Sequence, residues 1–286
     1  MKNLSSPKVI KEILEQTGFK FSKSLGQNFL IDENVLNTII DGADINKNTC
    51  VIEIGPGFGT LTQRLCMNAK KVVAIEIDKT AVPILHENLG EFTNLKIINE
   101  DVLKCDLNSI INDEFDGEDV KIVANLPYYI TTPIIMHLLE NKINISSICI
   151  MIQKEVAQRI TAKPSTKDYG ALSVGVNYYS EPRLICSVPP SAFIPMPKVS
   201  SAVISLDIRN EAPVKVNSEK GYFKVVRAAF NQRRKTMLNA LSNSGDIPMS
   251  KQQILDVLNE CNIDEKRRGE TLSLKEFADI ANKIFV

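Results

Sequence analysis

The chain contains no tryptophan and two histidines, His86 and His137, among 286 residues. That scarcity excludes an H-E-x-x-H metal site and leaves no spare imidazole for a hydrolytic triad. Both histidines fall in helix-like stretches and read as structural or surface residues. Cysteine is sparse too: Cys50, Cys66, Cys105, Cys149, Cys186 and Cys261, with the closest pair 16 positions apart. No C-x-x-C or zinc-ribbon spacing exists, so no metal is expected and the thiols read as reduced. No run of 18 apolar residues occurs, and the start, Met1 to Pro7, lacks a signal-peptide apolar core. A cytoplasmic protein without membrane attachment is therefore expected. Net charge is missing as well: 34 basic side chains balance 34 acidic ones. At face value that balance argues against a strongly basic nucleic-acid-binding surface.

What is present is ample for folding. Apolar residues make up 44% of the chain, and thirteen glycines and thirteen prolines are ordinary counts. The length suits one large domain, alone or with one small one. Ser6 and Pro7 start a helix with Val9, Ile10, Ile13 and Leu14 on one face, and Gly18 ends it. Asp32 caps a second helix carrying Val35, Leu36, Ile39 and Ile40. These make an arm over residues 1–48.

From residue 49 to 208 the pattern changes. Apolar runs at 50–54, 72–75, 95–98, 120–124, 146–152, 184–188 and 199–206 alternate, for the first several, with helical stretches at 59–67, 79–89, 131–140 and 154–162. Near-continuous apolar strands between helices predict an α/β fold with a parallel sheet covered on both faces. No long helix separates the last two runs, which predicts an antiparallel edge. Residues 210–219 read as a linker. Beyond them only helical patterns occur, so residues 209–286 form a small all-helical domain.

Val51 to Thr62 reads as a strand, a glycine turn (Gly55, Gly57, Gly59) and a helix start. Glycines let a backbone turn sharply and approach a ligand, and the helix N-terminus adds donors. No Gly-Lys-Ser/Thr follows, so this is not a P-loop. The next strand ends at Glu76, 21 residues after Gly55, where an acid can accept both ribose hydroxyls of a nucleoside cofactor. Asp101, after the third strand, can accept an adenine amino group. Either acid alone would pass for a solvated loop carboxylate; two behind a glycine turn point to a ligand.

The fourth strand runs into Asn125-Leu126-Pro127-Tyr128. An exocyclic adenine amine is a poor nucleophile, because its lone pair is delocalised into the ring. Two acceptors around it, the Asn125 side-chain oxygen and the Leu126 carbonyl, would favour a more tetrahedral nitrogen. Pro127 stiffens the turn, and Tyr128 can stack on an extruded base. The plain alternative is a strand-end turn with packed tyrosines.

On these motifs, with Lys23 to Leu30, Gln153 to Ala157, Lys167 to Gly170 and Asn231 to Thr236, the chain resembles the ribosomal RNA adenine dimethyltransferases over nearly its whole length. The branch it resembles acts on small-subunit (16S) RNA and is tied to kasugamycin sensitivity. The resemblance implies a class I methyltransferase with a seven-stranded sheet and a small C-terminal helical domain. It implies S-adenosylmethionine as cofactor, held by Gln27, Asn28, Leu30, Gly55, Gly57, Glu76, Asp101 and Asn125. The implied substrate is two adjacent adenosines in the last hairpin loop of 16S RNA in the 30S subunit, each dimethylated on N6 during subunit biogenesis. Asn125, Leu126, Pro127 and Tyr128 would carry the chemistry, and Phe193 matches a family aromatic expected to clamp the target base. A monomer is expected.

Charge distribution refines the zero balance. Residues 1–208 hold 20 basic and 24 acidic side chains, and residues 209–286 hold 14 and 10. Lys220, Lys224, Arg227, Arg233, Arg234 and Lys235 occupy a stretch without an acid, which points to phosphate contact. Three other readings compete: a 23S adenine methyltransferase, a non-catalytic RNA-binding assembly factor, and a nicotinamide-dependent dehydrogenase.

Overall fold

The structure, a computed structural model, describes residues 2–19 and 28–285. Its strands are β1 (Phe29–Leu30), β2 (Cys50–Ile54), β3 (Lys71–Glu76), β4 (Leu95–Asn99), β5 (Val120–Asn125), β6 (Ser147–Gln153), β7 (Ser180–Val188), β8 (Phe193–Ile194) and β9 (Ser201–Ile208). Seven of them form one sheet in the order β4-β3-β2-β5-β6-β9-β7. Neighbours from β4 to β6 are parallel, and β9 runs antiparallel to β6. The antiparallel strand expected near the edge is thus β9, with β7 outside it. The chain is an α/β protein with a mixed sheet and C-terminal helices.

Each parallel pair needs a crossover, and helices supply them: Thr60–Asn68, Val82–Leu89, Leu107–Phe115 and Thr131–Glu140. Central strand β2 is buried at every position, as a strand covered on both faces must be. The helix Leu107–Phe115 lies outside the helical stretches read from the sequence; it buries Leu107, Ile111 and Phe115. Asp106 caps it, accepting from Ser109 N at 3.0 Å. Asp32 caps the helix Glu33–Gly42 as expected, accepting from Asn34 N at 2.9 Å and Val35 N at 3.2 Å. Ser6 precedes the first helix without making a side-chain cap bond.

Two compact units result: Met1–Ala157 with Glu181–Ile208, and Gln158–Ser180 with Arg209–Val286. They depart from the expected partition at two places. The arm is no separate piece, because Leu4 and Ile13 are buried in one cluster with Phe58, Ile84 and Leu85 of the first unit. Residues 158–180, expected in the catalytic body, belong to the second unit. Tyr169, Val174 and Tyr178 are buried there with Tyr222, Val225 and Phe277. Burial of such aromatic area outweighs chain order in deciding which unit a segment joins. No helix among the described residues is long and apolar enough to cross a membrane.

The short pair β1–β8 is a second sheet, with Phe29 opposite Ile194 and Leu30 opposite Phe193. Two-residue strands more than 160 positions apart leave no periodic trace in a sequence.

Candidate active site

The C-terminal ends of β2, β3 and β5 converge on one cleft. β2 lies between the other two, so the chain reverses its winding direction here, the place where open α/β sheets bind ligands. The lining comprises Asn28, Phe29, Leu30, Glu53, Gly55, Pro56, Gly57, Thr60, Leu61, Glu76, Ile77 and the run Asn125 to Tyr129. The cleft is open to solvent at its mouth and is lined from four strand ends and the turns that follow them.

The glycine turn is built by conformation and by contact. Gly57 has φ 59°, and a Cβ there would stand 2.6 Å from the Phe29 ring. Phe29 itself is stacked on Phe58, centroids 4.1 Å apart. Gly55 has φ 70°, and a Cβ there would meet nothing, so its surface is left open toward the cleft. Glu76 braces the turn: its Oε2 accepts from Gly57 N at 3.1 Å and its Oε1 from Asp78 N at 2.8 Å.

Glu53 and Glu76 are the buried charged residues among those described, and both line this cleft. Burying a carboxylate is costly unless something compensates it, so such pairs mark functional sites more often than structural ones. Burial pushes the Glu53 carboxyl up to about 8, and the neighbouring Glu76 charge adds to the shift. Burial also raises Glu76, against the pull of its bonds to Asp78 and Gly57. Glu53 Oε2 is buried with no hydrogen-bond partner among the described residues. Sequence reading passes over Glu53, since one acid inside an apolar strand carries no spacing signal.

Asn125 ends β5 with its amide oriented. Its Nδ2 donates to the Asn28 carbonyl at 3.1 Å. A carbonyl cannot accept from another oxygen acceptor, so this contact assigns the amide flip and leaves Oδ1 as the acceptor end of the amide. Leu126 N donates to Met151 O at 3.1 Å, which anchors the turn to β6. Pro127 O accepts from Ile130 N at 3.2 Å and from Thr131 Oγ1 at 3.0 Å, closing the turn before the next helix. Tyr128 is half-buried, its hydroxyl 2.6 Å from Ser201 Oγ, and burial raises its phenol.

The cleft therefore gathers Asn28, Leu30, Gly55, Gly57, Glu76 and Asn125 to Tyr128 from the expected set. Gln27 lies outside the described residues. Asp101 is not among the lining residues; its carboxylate accepts from Leu103 N at 3.1 Å and faces Lys104 at 3.8 Å. Phe193 is placed apart from the other expected residues: it sits in β8 beside β1, 3% exposed and packed with Leu30, Val35 and Val203, and is not among the residues lining the cleft. The ring is held as core by the β1–β8 pairing, and the aromatic facing solvent at the cleft is Tyr129.

The second unit carries the basic stretch on the helix Glu219–Asn231 and the turn after it. Lys220, Arg227, Arg234 and Lys235 are exposed and make no ion pair among the described residues. Lys224 lies 5.4 Å from the centre of the Phe285 ring. Arg233 is spoken for: it pairs with Glu270 at 2.7 Å and donates to the Lys167 carbonyl. That bond joins two of the sequence motifs, 167–170 and 231–236, and Tyr169 Oη adds a bond to Leu272 O at 2.9 Å. Tyr222 and Phe230 belong to the core of this unit or pack against it.

Comparison with known proteins supplies the family context. A family model described as ribosomal RNA adenine dimethylase matches residues 18–280. A curated relative from Alkaliphilus oremlandii, "Ribosomal RNA small subunit methyltransferase A", is 55% identical over 99% of both chains. A relative of the same name from Clostridioides difficile is 50% identical, covering 99% of this chain and 98% of its own. Among solved structures, a dimethyladenosine transferase from Plasmodium falciparum superposes with a TM-score of 0.75 at 25% identity, over 88% of this chain and 95% of that one. The 23S rRNA methyltransferase ErmE shares the fold, with a TM-score of 0.67 at 24% identity over 90% and 99% of the two chains.

Proposed function

The chain belongs to the ribosomal RNA adenine dimethylase family, and from that membership and its cleft we propose that it dimethylates small-subunit RNA. As a member it is an S-adenosylmethionine-dependent methyltransferase acting on adenine in ribosomal RNA. The finer reading is ours: two adjacent adenosines in the 3′-terminal hairpin loop of 16S RNA, each receiving two methyl groups on N6 in the 30S subunit. The name shared by relatives at 50–55% identity over almost the full length supports the small subunit. ErmE, at 24% identity, supports no more than the fold. Such a substrate assigns the enzyme to the cytoplasm and to subunit maturation.

The observation that carries the chemistry is the oriented amide of Asn125. The residues fit the cofactor: the open surface at Gly55 leaves room for a close ligand, and the unpartnered Glu53 oxygen is a buried acceptor. Asn28, Leu30, Gly55, Gly57, Glu76 and Asn125 would hold it; Gln27 and Asp101 remain part of the proposal by resemblance alone. When bound, S-adenosylmethionine supplies a methyl group on a sulfonium, open to displacement by an amine. Asn125 Oδ1 and the Leu126 carbonyl accept from the N6 protons of the target adenine, two before the first transfer and one before the second, and draw its lone pair out of conjugation with the ring. Tyr128 stacks on the extruded base, and Pro127 keeps the acceptors in place. Catalysis is then positioning and charge placement, with no general base required. The ammonium formed on N6 is acidic enough to release its proton to water. Lys220, Lys224, Arg227, Arg234 and Lys235 contact RNA phosphates, and Arg233 steadies the turn they sit on.

Incubating 30S subunits from a strain lacking this gene with labelled cofactor, then mapping the label, tests the reading. Label on two adjacent adenosines of the 3′ hairpin is expected. Label confined to 23S RNA would overturn the substrate, and binding of NAD but not S-adenosylmethionine would overturn the chemistry.

A further inference from the structure

Tyr129 is a large aromatic that the fold does not use. Its side chain is 56% exposed, yet it lines the active-site cleft. The phenol of the adjacent Tyr128 is tied to Ser201. Among the described residues Tyr129 has no such bond, and it is not part of the three core clusters described. Tyr169, Tyr178 and Tyr222, by contrast, are buried in the second unit. The large apolar side chains most exposed in the structure are Ile77, Tyr129, Leu184, Met196 and Val199, and of these Ile77 and Tyr129 face the cleft.

Its backbone is held firmly all the same. The turn from Pro127 is closed by the bonds from Ile130 N and Thr131 Oγ1 to the Pro127 carbonyl. A rigid turn that presents a bare aromatic face at the mouth of a site is a stacking platform waiting for a flat ligand.

We propose that Tyr129 stacks on the nucleotide next to the adenosine being methylated. This deepens the function proposed above and rests on it. Extruding a base toward Asn125 and Tyr128 breaks stacking on both sides, so the neighbouring base loses a face as well. Tyr129, one residue and about 3.8 Å of backbone beyond Tyr128, replaces that face. Because aromatic stacking is tolerant of base identity, the same platform serves whichever of two adjacent adenosines is not in the cleft. Tyr129 thereby contributes to RNA positioning and leaves the reacting amine to Asn125.

The test is a cycle between protein and RNA. Steady-state methylation of unmodified 30S subunits is measured with wild type, Tyr129→Ala and Tyr129→Phe. A second substrate carries an abasic nucleotide beside the target adenosine. Tyr129→Ala is expected to raise KM for the subunit about tenfold, the size of one lost stack, and Tyr129→Phe to restore it. The abasic substrate should cost wild type the same factor and cost Tyr129→Ala nothing more. Calorimetric affinity for S-adenosylmethionine should be equal in all three proteins. Additive losses in the cycle, or weakened cofactor binding in Tyr129→Ala, overturn the stack while leaving the substrate assignment standing. Failure of wild type to modify the small-subunit RNA at all removes the assignment and this inference together.

Discussion

The two units treat charge in opposite ways. The first buries it: Glu53 and Glu76 stand almost solvent-free at the ends of β2 and β3. The second displays it: Lys220, Arg227, Arg234 and Lys235 stand in solvent without acidic partners among the described residues. The contrast fits what each proposed partner asks. A bound small molecule is recognised at close range, where low dielectric makes every polar contact strong and every unpaired one costly. A phosphate backbone is recognised by displacing counterions, which exposed, solvated cations do best. Chemistry and RNA affinity should therefore fail separately when residues are changed.

The largest effect is expected at Asn125. Asn125→Ala removes the acceptor proposed to meet the amine and should lower kcat/KM at least about 100-fold, the range for loss of one aligned polar group. Sedimentation with 30S subunits should still show binding; equal loss of binding and turnover would mean that the residue is not chiefly catalytic.

Gly57 comes next. An alanine there carries the strain of φ 59° and a Cβ 2.6 Å from the Phe29 ring, whereas at Gly55 it carries the strain alone. Gly57→Ala should destabilise the protein by about 2–5 kcal/mol and Gly55→Ala by about 1–2 kcal/mol, measured in urea. Cofactor affinity should fall in Gly57→Ala with 30S binding retained. If the two substitutions cost the same, the Phe29 contact has no energetic weight.

Replacing Arg234 and Lys235 together by alanine breaks the other side of the contrast. RNA affinity should drop roughly tenfold, and the slope of log affinity against log salt should shrink by about 1.5, as two lost phosphate contacts require. Calorimetry with S-adenosylmethionine should give the wild-type value. An unchanged salt slope would take these cations out of the RNA interface.

The last test is a pH dependence. The Glu53 carboxyl is raised from 4.5 to about 8, so the folded protein holds a proton that the unfolded chain has released. Its contribution to stability is complete below about pH 4.5 and is lost progressively as pH climbs to about 8. Without cofactor, the thermal midpoint should fall between pH 5.5 and 8.5, and Glu53→Gln should flatten that slope. Glu76, raised in the same direction, leaves part of the slope in place. A Gln variant with the wild-type profile would show that Glu53 is ionised throughout.

Much of the first unit is legible residue by residue. The apolar runs from 50–54 to 199–206 each coincide with a strand of the large sheet, most continuously in the central strands β2, β5 and β6, which are covered on both faces. The glycine turn and the Asn125 turn are legible because local geometry demands particular residues. Glu53 is not, since its meaning depends on what surrounds it. Nor is Phe193, whose place beside β1 is set by a pairing partner far away in the chain. Residues 158–180 read as a continuation of the methyltransferase body until Tyr169 and Tyr178 are seen in the other core.

The sequence by itself determined the alternation of strands and helices, the glycine turn, the Asn125 to Tyr128 turn at the end of β5 and the acid-free basic stretch. Each depends on contacts between near neighbours along the chain, which local composition encodes. Only the tertiary structure decided which acids are buried, which way the Asn125 amide faces and whether Phe193 or Tyr129 meets the cleft. Those properties arise from contacts between distant segments, where burial and partner geometry, rather than residue type, set the free energy.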